Sequence, residues 1–409
     1  MSAKKFPEGF YWGAATASYQ VEGGIENTDW AEAARAGRVP ECGLACNHYH
    51  RYEADFDLAK SLGHTAHRLS IEWARIEPVS GEFDEGEIEH YRQVLKALRA
   101  RGIEPFVTLW HFTVPLWFSQ SGGFERADAP EVFARYCAYV VSKLGDLCLH
   151  FATINEPNVY ATHGWLYGAW PPFKRAAIFG IAISKEDGTS ESAANRPSFT
   201  NFRLYLRVTR HLALAHNAAY VAIKAGSPMV RVSVVKHVHV FTADASYTNK
   251  IKAKAANYFQ SYKFLNAVQH CCDEIGLNYY RHTIFGDNKD YLQTDMQWNA
   301  HPDGIYDAIM ELQRYQKPIF IAEAGLADAD DDLRAEYIKL QVLGVWRAIA
   351  SGADVRGHMY WSLLDNYEWA LGFGKRFGLI EINYETQART IRPSAYGYKE
   401  ICERNEVIE

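Results

Sequence analysis

Pro318-Ile319-Phe320-Ile321-Ala322-Glu323-Ala324-Gly325 is an apolar run that ends on a carboxylate, and Thr153-Ile154-Asn155-Glu156-Pro157 repeats the arrangement far upstream. Each run reads as a strand buried on both faces, because it lacks the alternation of a half-exposed strand. A carboxylate is costly in such a core. It is tolerated where a parallel strand runs out into a loop, and in a closed barrel those ends converge on one pocket. Two carboxylates brought together from distant strands supply an acid and a nucleophile or base, the pair that cleavage of a glycosidic bond requires.

Similar runs recur along the chain. Strands are expected at Phe10–Ala15, Thr65–Ile71, Glu104–Trp110, His150–Ile154, Val230–Val235, Glu274–Asn278, Pro318–Ala322 and Val355–Trp361. Helices are expected between them, at Tyr52–Leu62, Glu87–Arg101, Pro130–Leu147, Phe202–Ala225, Lys250–His270, Tyr306–Tyr315 and Asp332–Ser351, with a last one at Ser394–Glu403. The helical period is clearest in Tyr91, Val94, Leu95 and Leu98. Eight alternations without a linker or a shift in composition imply an α/β chain folded as a single-domain (β/α)8 TIM barrel over residues 1–409, not an open doubly wound sheet. Lys185–Thr200, rich in Ser, Glu and Asn, is expected to be a surface loop, and Asp328–Asp332 a solvated loop and helix start, not a metal site.

Composition excludes several function classes. The 409 residues are 48% apolar and 22% charged with a net charge of −6, an ordinary globular balance. Mild acidity without a basic stripe argues against nucleic acid. No run approaches the roughly 18 apolar residues of a membrane span, so no membrane partner is expected. Met1-Ser2-Ala3-Lys4-Lys5-Phe6-Pro7 has no apolar stretch behind its lysines and is not read as a signal peptide. Seven Cys with no framework spacing fit reduced thiols and a cytoplasmic address. Cys46-Asn47-His48-Tyr49-His50 matches no zinc spacing, and His237 and His239, alternating on one strand face, are not read as ligands either. Gly372-Phe373-Gly374 is read as a turn, and Ser70 and Ser362 lack a His/Asp pattern for a serine hydrolase. No metal or organic cofactor is implied.

The polar residues at strand ends form the candidate site. They are Gln20 after the first strand, Arg68 within the second, His111 after the third, Asn155 and Glu156 after the fourth, and Asn278 and Tyr280 around the end of the sixth. Glu323 follows the seventh, and Trp361, Glu368 and Trp369 belong to the eighth and its loop. Hydrogen-bonding groups, two carboxylates and tryptophans together describe a sugar site. The acid must be held protonated, and Glu156 has no cation in its motif. The nucleophile must stay ionised, a task for Arg68 and the Tyr280 hydroxyl.

In these residues the chain resembles glycoside hydrolase family 1, the β-glucosidases and their relatives, nearly end to end. The resemblance runs through Phe10-Tyr11-Trp12-Gly13-Ala14-Ala15-Thr16-Ala17-Ser18-Tyr19-Gln20, Arg68-Leu69-Ser70-Ile71-Glu72-Trp73, Thr108-Leu109-Trp110-His111-Phe112 and Asn155-Glu156-Pro157. It continues in Gly276-Leu277-Asn278-Tyr279-Tyr280, Glu323, Tyr360-Trp361-Ser362 through Glu368-Trp369, and Lys375-Arg376-Phe377-Gly378. It implies Glu156 as acid/base and Glu323 as nucleophile. It implies Gln20, His111, Asn155, Trp361, Glu368 and Trp369 as the glycone subsite, and Arg68, Asn278 and Tyr280 as support for the nucleophile. Two departures stand out. Ala322 and Ala324 flank Glu323 where the family writes Thr and Asn, which bears on how Glu323 is positioned. Between Leu265 and Asp273 a longer stretch is reduced to a few residues, from which a missing rim segment and an open leaving-group side are expected.

The expected activity is therefore that of a retaining β-glycosidase, chiefly a β-glucosidase with β-galactosidase or β-fucosidase activity. Glu368 stands where 6-phosphosugar enzymes carry a small residue, which favours unphosphorylated β-glycosides. A transglycosylase would use the same site, and an inactive sugar-binding relative is the remaining alternative. The natural aglycone and the oligomeric state are not legible.

Overall fold

The computed structural model describes residues 2–178, 181–182, 198–287 and 291–409. Eight parallel strands close into a barrel. They are β1 Tyr11–Ala15, β2 Ala66–Ser70, β3 Glu104–Thr108, β4 His150–Asn155, β5 Arg231–His237, β6 Glu274–Tyr279, β7 Ile319–Ala324 and β8 Val355–Trp361. Each pairs with its successor, and β8 closes on β1. Helices α1 His48–Ser61, α2 Glu85–Ala100, α3 Ala129–Leu144, α4 Phe199–Gly226, α5 Tyr247–Asn257, α6 Gly304–Leu312, α7 Arg334–Ala350 and α8 Pro393–Arg404 surround it. The (β/α)8 barrel expected from the alternation is the fold.

Local chemistry starts the helices where they start. The Asp84 carboxylate accepts from the amides of Gly86 and Glu87 at the head of α2, and Ile88, Tyr91, Val94, Leu95 and Leu98 form its buried stripe. Ser198 caps α4 through the Asn201 amide at 3.1 Å. The rest of the expected loop, 185–197, lies outside the described residues. The acids at 328–332 precede α7 as expected, but Asp328 is buried and not solvated: it accepts from the amides of Leu333 and Arg334, and Asp331 pairs with Arg334.

The barrel lumen is filled by Ala66, Phe106, Ala152, Val235, Phe320, Ala322 and Met359. A second, larger core lies between barrel and helices. Strand alternation is broken near the lumen's open end. Ile321 and Glu323 of β7 pair with the consecutive residues Leu277 and Asn278 of β6, so Ala322 is an extra residue. In the same way, Ala152 and Asn155 of β4 pair with Ser233 and Val235 of β5. Each bulge shifts the residues beyond it by one and turns to the lumen a position that strict alternation would send outward.

The connection from β5 to β6 departs from the expectation. Beyond β5 the chain adds Val240–Ala243, which pairs in parallel with His282–Phe285 beyond β6, a two-stranded ribbon outside the barrel. His237 therefore ends β5, and His239 lies in the break before the ribbon; the two do not alternate on one strand. α5 continues through a π turn, Tyr258–Tyr262, into Lys263–Val268 and a short turn Gln269–Cys271. The Asp273 amide then donates to the Val232 carbonyl at the start of β5. The shortened Leu265–Asp273 stretch thus lies at the amino-terminal end of the strands, opposite the pocket, and not at the rim. Among the described residues no helix is long and apolar enough to cross a membrane.

Candidate active site

The carboxyl ends of the strands surround a pocket of about 370 Å³. Gln20, His111, Asn155, Glu156, Tyr280, Glu323, Trp361, Glu368 and Trp369 all line it. Arg68 and Asn278 do not reach its surface. They stand behind the carboxylates and hold them.

Arg68 lies in β2, only 1% exposed. Its guanidinium donates to Glu323 Oε1, to Asn155 Oδ1 at 2.8 Å and to Thr108 Oγ1 at 2.9 Å, tying β2 to β3, β4 and β7. The Tyr280 hydroxyl donates to the other Glu323 oxygen at 2.7 Å. Both oxygens of Glu323 are thus met by donors, one of them cationic. The side chains of Ala322 and Ala324 do not take part: Ala322 fills the lumen and Ala324 the outer core. The Glu323 carboxylate is therefore held by side chains from across the barrel, with the Ala322 carbonyl accepting from Arg68 at 3.4 Å.

Glu156 is treated differently. One oxygen accepts from Asn278 Nδ2 at 2.8 Å. Burial, and next the charge of Glu323, push its carboxyl up to about 8, while the Asn278 bond, Lys236 and Arg68 pull the other way. The backbone here is in the left-handed region: φ is +44° at Glu156, +74° at Phe112 and +49° at Trp369. For residues with side chains, such conformations cost on the order of 1–3 kcal/mol each and concentrate at functional sites.

The other pocket walls present unsatisfied or rigid groups. Gln20 Nε2 is held by Asn366 Oδ1 and the Tyr367 carbonyl, and its Oε1 is buried without a protein partner. His111 Nε2 lies 3.3 Å from Asn155 Nδ2, and its Nδ1 is likewise unpartnered. Burial, then Arg68, keep His111 neutral. The rings of His111 and Trp361 lie parallel at 6.1 Å, as do those of His111 and Trp369 at 6.0 Å. Glu368 is pushed up to about 8, chiefly by burial and then by Glu323.

Sequence reasoning missed Lys236. It is fully buried, and its ammonium donates to the carbonyls of His237 and Gln260, both at 2.6 Å. Burial draws it down to about 7, with Glu156 pulling it up. Glu156 therefore does have a cationic neighbour, contributed by β5 and not by its own motif, and its amide bonds the Val235 carbonyl next to that lysine. His237 and His163, Trp170 and Trp298, and Arg281 and Lys375 also line the pocket. His237 ends β5 and His163 lies in the π turn Thr162–Leu166. The others come from loops and extensions with no periodicity to flag them, although Lys375 is in the quoted Lys-Arg-Phe-Gly motif.

Comparison with known proteins gives the same picture over the whole length. A beta-glucosidase A from Thermotoga maritima is 31% identical over 448 aligned positions, covering 99% of each chain. That alignment is longer than this chain, so the relative carries residues without a counterpart here. A beta-glycosidase structure from Pyrococcus horikoshii superposes with a TM-score of 0.87 at 35% identity, covering 100% of this chain and 97% of that one. A Thermotoga maritima beta-glucosidase in complex with glucoimidazole gives 0.88 at 28% identity, covering 98% and 99%. The sequence profile of Glycosyl hydrolase family 1 matches residues 2–271 and 250–407, the two matches overlapping on the single helical run between β5 and β6. With paired carboxylates at the ends of β4 and β7, a full-length barrel and that match, the chain belongs to glycosyl hydrolase family 1 and is a glycoside hydrolase.

Proposed function

We propose that residues 1–409 act as one catalytic domain that hydrolyses unphosphorylated β-glycosides, β-glucosides above all, with retention. Glu323 attacks the anomeric carbon while Glu156 protonates the departing oxygen, and Glu156 then activates the water that releases the glycosyl-enzyme. The observation that carries this reading is the unequal setting of the two carboxyls: Glu323 is held by Arg68 and Tyr280, whereas Glu156 is pushed up to about 8. Glu156 is thus held in the protonated form that its step needs, while both Glu323 oxygens are fixed by donors.

Gln20 Oε1 and His111 Nδ1 are buried polar atoms awaiting partners, which sugar hydroxyls supply. Trp361 and Trp369 offer apolar faces to the ring, Asn155 an amide, and Glu368 a carboxyl able to donate and accept while protonated. Asn278, expected to support Glu323, instead donates from its side-chain amide to Glu156 and Asn155. Seven free cysteines support a reducing, cytoplasmic setting. The test is a panel of aryl β-glycosides, plain and 6-phosphorylated, with the anomer of the first product read by NMR. Initial release of the β-anomer from plain glucosides is expected; initial release of the α-anomer, or preference for the phosphorylated sugar, overturns the reading.

A further inference from the structure

Composition suggested an evenly acidic chain without a basic stripe, and the distribution of charge corrects this. From Phe199 to Cys272 the sole carboxylate is Asp244, against ten Lys and Arg, in a chain whose net charge is −6. Asp244 itself is occupied, accepting from the Ser246 amide at 2.9 Å and from Asn249 Nδ2 at 3.1 Å where α5 begins.

α5 and its π turn carry an apolar stripe on the solvent side. Tyr247 is 78% exposed, Ile251 50%, Tyr258 47% and Phe259 65%. Residues 247, 251 and 258 repeat on one helical face. Lys250 and Lys254 run along one edge of the stripe and Lys252 along the other, all exposed and none in an ion pair with a described residue. The buried side of the helix is fixed to the ribbon by Asn257, which bonds both the amide and the carbonyl of Phe241. Because the ribbon continues β5 and β6 beyond their carboxyl ends, α5 lies on the same side of the barrel as the pocket.

An outward apolar stripe between two rows of lysines is the pattern of a helix that lies in a lipid interface. A second copy of the chain fits poorly, since a two-fold contact would set lysine against lysine. A nucleic acid would use the lysines and leave Tyr247, Ile251 and Phe259 unexplained. We propose that this face docks on an anionic lipid surface, with the apolar stripe entering the headgroup layer and the lysines on the lipid phosphates, so that the pocket opens beside the membrane.

The test is co-sedimentation with phosphatidylcholine vesicles, with and without phosphatidylglycerol, at low and raised salt. Binding to the anionic vesicles alone, weakened by salt, is expected. Lys250→Glu with Lys254→Glu should lower it at least about tenfold, and Ile251→Ser with Tyr258→Ser by about tenfold as well. Both variants should turn over a soluble aryl β-glucoside as the parent does, which keeps this result separate from the catalytic reading. Absence of binding at low salt overturns the proposal. So does an Ile251→Ser, Tyr258→Ser variant that binds vesicles as well as the parent, or equal retention on a DNA duplex, because either would make the face a general polyanion site. Vesicle binding lost as the protein self-associates would assign the face to a second copy.

Discussion

Glu323 faces Asn278 across the β6–β7 ladder because Ala322 is an extra residue in its strand. Without that bulge the carboxylate would follow Ile321 into the helix layer. The position of Glu323 thus depends on register, while its two oxygens are held by Arg68 and Tyr280.

Glu323→Ala should abolish turnover, and azide should restore it. The deletion opens space on the face opposite the leaving group, where a small anion can attack. The product should be a glycosyl azide of inverted configuration, identified by NMR; a retained product would remove Glu323 from the nucleophile's role.

Glu156 must carry a proton to assist departure, and burial with Glu323 opposite pushes it up to about 8. Since the protonated form is the active one, kcat/KM for a poor leaving group should fall as pH rises through that region. The limb belongs to the coupled carboxyl pair. Glu156→Gln should cost about 10²–10⁴-fold on such substrates and far less in glycosylation by a good leaving group, with the basic limb absent. A limb that persists in the variant would assign it to another group.

Lys236 lowers the proton affinity of Glu156. Lys236→Met should therefore move the basic limb to higher pH. It should also lower the melting temperature, because the carbonyls of His237 and Gln260 lose their donor, about 1–3 kcal/mol for each. A lower melting temperature with an unmoved limb would make Lys236 purely structural.

Glu368 is neutral at pH 7 if its carboxyl is pushed up to about 8, so its repulsion of a 6-phosphate should appear only as pH rises through that value. The ratio of kcat/KM for glucoside over 6-phosphoglucoside should increase there, and Glu368→Ser should flatten the rise and weaken glucoside binding. Taking the ratio cancels the ionisation of Glu156. A ratio flat with pH in the parent enzyme would remove charge from the selection.

The carboxylates were legible because each closes an apolar run, and the barrel because eight such runs alternate with amphipathic ones. Lys236 presents the same signal, but the expected strand stops at Val235, two residues short of its end at His237, since nothing in Val-Val-Lys-His marks where pairing stops. The bulges at Ala322 and before Asn155 have no signature in a two-residue alternation, as both strands are apolar on both faces. Trp298 and Arg281 reach the pocket from a loop and from the start of the ribbon, where tertiary contacts alone decide direction. The shortened stretch is implied by the family resemblance, and a difference in length alone cannot tell the rim from the opposite end of the barrel.

Catalytic groups often strain the fold that holds them, so that deleting them raises stability. The Arg68 cross-tie divides this site into opposite cases. Removing Glu323 strands a buried guanidinium that spans four strands, a loss of about 3–5 kcal/mol. Removing Glu156 instead takes out a buried carboxyl that burial and Glu323 already hold against ionisation. The two carboxyls thus have opposite relations to stability: loss of Glu323 lowers it while leaving a fold that azide can still use, whereas loss of Glu156 leaves no buried charge without its partner.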